Sequence, residues 1–104
     1  MKIVAVTSCP TGIAHTYMAA EALERAAKKA GHEIVVETQG AGGKKNIPAD
    51  VIAAADVAIF AADLPVREKE RFAKLPLIEA QVKSAIKNAA KIIAEAEALV
   101  SAKG

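Results

Sequence analysis

Cysteine occurs once in this chain of 104 residues, at position 9, and there are only three aromatic residues, none of them tryptophan. A single thiol excludes an intrachain disulfide and fits a reducing compartment. With only His15 and His32 beside it, a structural zinc site has too few nitrogen and sulfur ligands. No metal and no cofactor is therefore expected. The scarcity of aromatics argues against a base-stacking surface for single-stranded nucleic acid. Charge of one sign is also missing: 14 basic residues face 12 acidic ones, a net +2 that favours no nucleic-acid partner. No apolar run approaches the roughly 20 residues of a membrane span. Lys2 leads into an alternating apolar pattern rather than a signal-peptide core. The expected setting is cytoplasmic, with no direct membrane insertion.

Hydrophobic residues make up 53% of the chain, much of it alanine, which suits close packing of helices on a sheet. Residues 2–7 are short and β-branched-rich, a buried strand pattern. Across residues 13–30, Ile13, Tyr17, Ala20, Leu23, Ala27 and Ala30 recur at helical spacing. Glu21 and Arg25, and Glu24 and Lys28, pair at i,i+4 on the opposite face. Gly31 then stops the helix, and His32 reads as a surface turn residue. Residues 33–38 form a second strand and residues 39–46, with three glycines and two lysines, a loop. Pro48 opens a short helix through residue 54. Residues 57–61 read as a third strand leading to Asp63 in another turn, residues 67–72 as a short helix and 75–78 as a fourth strand. A final helix carries the stripe Val82, Ile86, Ala89, Ile93, Ala96 and Val100, with Lys83, Lys87 and Lys91 on a solvated face.

This alternation predicts an α/β fold: a small, doubly wound, Rossmann-like sheet of four parallel strands with helices on both faces. One domain over residues 1–104 is expected, with a linker or free tail from about residue 101. Ligands in such sheets bind beyond the carboxyl ends of the strands. Cys9 and Asp63 both follow strands and are expected at that edge, Asp63 as a candidate at the rim.

Cys9, His15 and Thr16 form a C-x5-H-[ST] arrangement on a strand-to-helix turn. Backbone N–H groups at a helix start have no intrahelical partner and favour an anion. Gly12 lets the chain bend closely around a bound group, and Pro10 stiffens the loop beside the sulfur. N–H groups from Thr11 onward, through Ile13, Ala14, His15 and Thr16, can converge on a phosphate, and the hydroxyls of Thr11 and Thr16 are further donors. A thiol reacts as its thiolate, and helix ends and cations lower its pKa from about 8.5. His15 offers either positive charge or a neutral hydrogen bond. The competing structural readings are an inert buried cysteine, a histidine that satisfies a nearby carbonyl, and Thr7, Ser8 and Thr16 as ordinary capping or turn residues.

The run Cys9-Pro10-Thr11-Gly12-Ile13-Ala14-His15-Thr16, continuing Tyr17-Met18-Ala19-Ala20-Glu21-Ala22-Leu23, closely resembles the fructose-type IIB component of the bacterial phosphoenolpyruvate-dependent sugar phosphotransferase system. Glu37-Thr38-Gln39-Gly40, Ala54-Ala55-Asp56-Val57, Ala61-Ala62-Asp63 and Glu70-Arg71-Phe72 extend the likeness. Residues 42–50 and the pair Leu75-Pro76 depart from the family pattern, outside the cysteine motif. The resemblance implies a four-stranded parallel sheet and a relay. In it, a phosphohistidine on a IIA protein donates to Cys9, which passes the phosphoryl group to a sugar held by a membrane IIC component. Location at the inner face of the membrane, through that partner, is implied as well. Two other readings stay open from the residues: a regulatory module that senses phosphorylation of Cys9, and a cysteine phosphatase of low activity. The phosphatase loop C-x5-R-[ST] carries arginine where this chain has His15, and the weaker clamp suits passing the group on.

Overall fold

The protein is described from a computed structural model covering residues 1–8, 13–39, 47–63, 66 and 69–103, and for residues 13–16, 102 and 103 only the backbone is described. Four strands, β1 (Lys2–Ser8), β2 (Glu33–Gln39), β3 (Val57–Ala62) and β4 (Leu77–Ala80), form one sheet in the order β2-β1-β3-β4. All three pairings are parallel. The helices are α1 (Ile13–Lys29), α2 (Ala49–Ala54), α3 (Val82–Lys87) and α4 (Ala89–Lys103), with a 3₁₀ turn at Lys69–Phe72. The expected doubly wound α/β sheet is observed.

β1 and β3 are central and covered on both faces, which is why they are nearly unbroken apolar runs. Alternate residues serve two separate cores. Ile3, Ala5 and Ile59 meet Leu23 and Ala27 of α1, Val82 and Ala85 of α3, and Ile93 and Ala96 of α4. Val4, Val6, Ala58 and Phe60 face Ile47, Ile52 and Phe72 on the other side. There the Phe60 and Phe72 rings meet edge to face, their centroids 5.3 Å apart, a favoured aromatic geometry.

Several elements differ from the sequence-based expectation. α1 buries Ala19, Ala20, Leu23 and Ala27, while Tyr17 is 49% exposed. Alanines let the helix lie close to the sheet, and Tyr17 sits about 100° around the helix from the centre of that buried stripe. Ala30 lies past the helix end and is exposed. β1 runs one residue further than expected, and Thr7 and Ser8 are buried strand residues rather than turn or capping residues. β4 starts later than expected because Pro76 has no N–H to give the ladder; its carbonyl instead accepts from the Ala58 N–H at 2.9 Å. The final helix is broken at Asn88, whose backbone (φ −129°, ψ 39°) leaves the helical region. The stripe survives because Asn88 and Ile92 still bond four residues back, to Ser84 and Asn88.

His32 is more than a surface turn residue. One ring nitrogen lies 3.1 Å from the Met1 amino group and the other 2.7 Å from a carboxylate oxygen of Glu97, so it links the amino edge of the sheet to α4. The Glu21–Arg25 pair forms at 2.7 Å on the exposed face of α1, where such a pair contributes little.

Gly31 terminates α1 with φ at +86°. The Gly31 N–H donates to the Lys28 carbonyl and the His32 N–H to the Ala27 carbonyl, the two bonds of a Schellman cap. An added Cβ at Gly31 would meet no atom within 4 Å, so its cost is backbone strain alone. Gly31→Ala is expected to lower stability by about 1 kcal/mol and the melting temperature by roughly 4–8 °C. Thermal unfolding monitored by circular dichroism checks this. An unchanged melting temperature would refute the strain argument.

Candidate functional site

In the order β2-β1-β3-β4, the connections that leave β1 and β3 run in opposite directions along the sheet. The switch point therefore lies at the carboxyl ends of β1 and β3. β1 ends at Ser8, which is 3% exposed and aligned with Gln39 on one side and Ala62 on the other. Its carbonyl accepts from the Asp63 N–H at 2.9 Å. Cys9 is the next residue in the chain. Cys9, Pro10, Thr11 and Gly12 lie outside the described residues. Ile13, Ala14, His15 and Thr16 form the first turn of α1 in their backbone, and their side chains lie outside the description.

Asp63 stands at this edge, as its place after β3 suggests. Its carboxylate accepts from the Val82 N–H at 3.3 Å, at the start of α3. Ala62, Asp63, Gln81 and Lys83 line an open cavity of about 460 Å³ beside it. Lys83, expected only to be solvated, thus borders the edge where ligands bind in such sheets. Among the described residues no group of three potential metal ligands occurs. No helix among them is long and apolar enough to cross a membrane.

The strongest polar feature near this edge was not singled out by the sequence reading. Glu37 on β2 is 1% exposed. Its Oε1 accepts from the Ile47 N–H at 3.0 Å and from Arg71 Nη1 at 3.1 Å. Its Oε2 accepts from Arg71 Nη2 at 2.8 Å and from Gln39 Nε2 at 2.6 Å. The Arg71 guanidinium also lies 5.0 Å from the centre of the Phe72 ring, within cation–π range. Burial pushes the Glu37 carboxyl up. The bonds from Arg71, Gln39 and Ile47 and the charge of Arg71 outweigh burial and hold it below the usual carboxylate value. The signal was available: Glu37 follows Ile34-Val35-Val36 in a strand, and a carboxylate in such a run needs a partner.

The family described as "PTS system, Lactose/Cellobiose specific IIB subunit" matches residues 4–95, where PTS denotes the phosphotransferase system. The chain belongs to the phosphotransferase-system IIB family. The "PTS system fructose-like EIIB component 2" of Escherichia coli K12 is 48% identical over 98 residues, covering 93% of this chain and 92% of that protein. The "PTS system fructose-specific EIIB'BC component" of Rhodobacter capsulatus is 49% identical over 94 residues, which are 89% of this chain but only 16% of that longer protein. The solution structure of the enzyme IIB subunit of the PTS system from Escherichia coli K12 superposes with a TM-score of 0.89 at 43% identity, covering 98% of this chain and 95% of that one. Membership in this family implies a part in the phosphoryl relay of sugar uptake.

The buried ion pair of this IIB domain makes stability depend on pH. In the native protein Glu37 titrates below its unfolded value of about 4.3. Its stabilising contribution is therefore present above that pH and lost as pH falls through the native pKa. In Arg71→Met the carboxylate stays buried with its principal partner gone, so burial raises its pKa and this variant loses stability as pH rises. Arg71→Met is expected to cost about 3–5 kcal/mol at about pH 7, with a smaller deficit near about pH 4. Urea unfolding of both proteins at the two pH values measures it. The difference between the curves cancels the other carboxylates; a deficit constant with pH would refute the assignment.

Proposed function

We propose that Cys9 carries the phosphoryl group in this IIB domain. It takes the group from a phosphohistidine of a IIA protein or domain and gives it to a sugar bound by a membrane IIC component. The observation that supports this most is the position of the only thiol in the sequence: it directly follows β1 at the switch point and leads into α1. The sugar is proposed to be fructose or a close relative, on the names of the relatives at 48–49% identity. Residues 1–104 act as one IIB unit, working at the inner face of the membrane through IIC.

The chemistry is two in-line displacements. In the first, the Cys9 thiolate attacks phosphorus, the S–P bond forms, and the N–P bond breaks with its electron pair returning to the donor imidazole. In the second, a sugar hydroxyl attacks, loses its proton, and the thiolate leaves. A thiolate suits both roles because it is nucleophilic near neutral pH and departs readily. The equatorial oxygens need donors more than covalent help. We assign these to the backbone N–H groups of Thr11, Gly12, Ile13, Ala14, His15 and Thr16, helped by the amino end of α1. Pro10 limits the loop's freedom, and Asp63 stands at the rim.

Cys9→Ser is expected to fold normally and accept no label from a phosphorylated IIA donor, because a serine hydroxyl is barely ionised near neutral pH. Intact-mass analysis after incubation reads this directly. Stoichiometric phosphate on the serine variant would sink the assignment.

His15 separates a carrier from a phosphatase. Arginine grips a phosphate dianion with a planar fork, whereas imidazole has at most two separate donors. Free aryl phosphates are expected to be hydrolysed negligibly, while phosphate delivered by a docked protein is accepted rapidly because partner contacts position it. Sustained release of inorganic phosphate from an aryl substrate, abolished by Cys9→Ser, would make the protein a phosphatase instead.

A further inference from the structure

Glu37 collects hydrogen bonds from three different parts of the chain. Gln39 is the last residue of β2 and aligns with Ser8, the residue before Cys9. Ile47 is the first described residue after segment 40–46. Arg71 lies in the 3₁₀ turn at Lys69–Phe72, where the chain returns from β3. One carboxylate thus ties together the end of β2 and both segments that follow β2 and β3. It does so on the face of the sheet carrying Val4 and Val6, and Val6 is its register partner. All four of its bonds come from protein N–H donors. Its bidentate Arg71 contact fixes angle as well as distance. Such a network is more than the local packing requires, since an apolar residue could fill the same space without a buried charge.

We infer that Glu37 and Arg71 are positioning residues for the nucleophile: their ion pair holds Gln39, and through the β1–β2 register Ser8, at the place from which Cys9 leaves the sheet. This rests on Cys9 being the phosphoryl acceptor. A shift of the strand end by a fraction of an ångström moves the sulfur relative to its donors, and a misplacement of about 1 Å can cost about 100-fold in rate. The pair itself does not touch the phosphoryl group.

The test compares Glu37→Gln and Arg71→Lys with Ile93→Ala. Glu37→Gln keeps the shape and removes the charge. Arg71→Lys keeps the charge and removes the fork, and it guards against a Glu37 variant that fails to fold. Ile93 is buried in the opposite core, so Ile93→Ala lowers stability without touching the network. Two readouts are taken at a temperature where circular dichroism shows each protein folded. These are the pH midpoint of Cys9 alkylation by iodoacetamide and the single-turnover rate of labelling by phosphorylated IIA. Glu37→Gln and Arg71→Lys are expected to slow labelling at least about 10-fold and to move the alkylation midpoint, with Ile93→Ala unchanged in both. If the network variants match wild type, or if Ile93→Ala behaves as they do, the inference is overturned. If wild type itself accepts no label, the relay reading fails, and the alkylation midpoints alone decide whether the ion pair positions the thiol.

Discussion

Parallel pairing of β1 between β2 and β3 is the constraint on which the rest depends. A parallel strand cannot turn straight back into its neighbour, so each connection must cross a face of the sheet. α1 crosses one face between β1 and β2, and α2 lies on the other between β2 and β3. β1 is therefore buried on both sides, and every strand delivers its following residue to one edge. The segments after β1 and β3 leave that edge as neighbours, tied by the bond from the Asp63 N–H to the Ser8 carbonyl. A reactive residue after β1 thus follows a strand buried on both sides.

The two cores divide the work unequally. On the α1, α3 and α4 side, alanine is frequent at the contacts, so helices approach the sheet closely and dispersion is gained over a broad, smooth interface. On the α2 side, there is less helix, and the space is filled by Phe60, Phe72 and Ile52 together with the Glu37–Arg71 pair. Burying a charge there is costly unless its partners are complete. Among the described residues no buried side-chain polar atom lacks a hydrogen-bond partner. The pair contributes fixed geometry more than stability, and it does so on the side where the loops after β2 and β3 return to the sheet.

A carrier has to accept a group and then release it, so neither state can be held too firmly. In the proposed relay the chain offers a thiolate, a row of backbone donors and an imidazole in place of a guanidinium. Specificity is then set by what docks. In that proposal the IIB chain supplies the nucleophile, and the sugar pocket belongs to the membrane partner. The open cavity beside Asp63, Gln81 and Lys83 and the exposed Tyr17 and Met18 on the first turns of α1 leave this edge accessible to large partners.

Periodicity in the sequence was enough to determine the alternation of strands and helices, the parallel sheet and the edge at which Asp63 stands, because burial on two faces dictates short apolar runs and helical stripes. The proposal for the cysteine motif rests on residue types at fixed local spacing. Other features required tertiary structure because they depend on contacts between distant residues. The rotation of α1 that leaves Tyr17 outside was decided by how closely Ala19 and Ala20 fit the sheet. Asn88 broke a helix that reads as continuous, because side-chain spacing does not report backbone torsion. Pairing of Glu37 with Arg71 joins residues 34 positions apart, and no local pattern specifies which cation a buried carboxylate will find. Nor does any local pattern specify the hydrogen bond between His32 and Glu97, 65 positions apart. Strand and helix order was readable from the sequence, while the partners of the buried Glu37 were fixed only when the chain closed on itself.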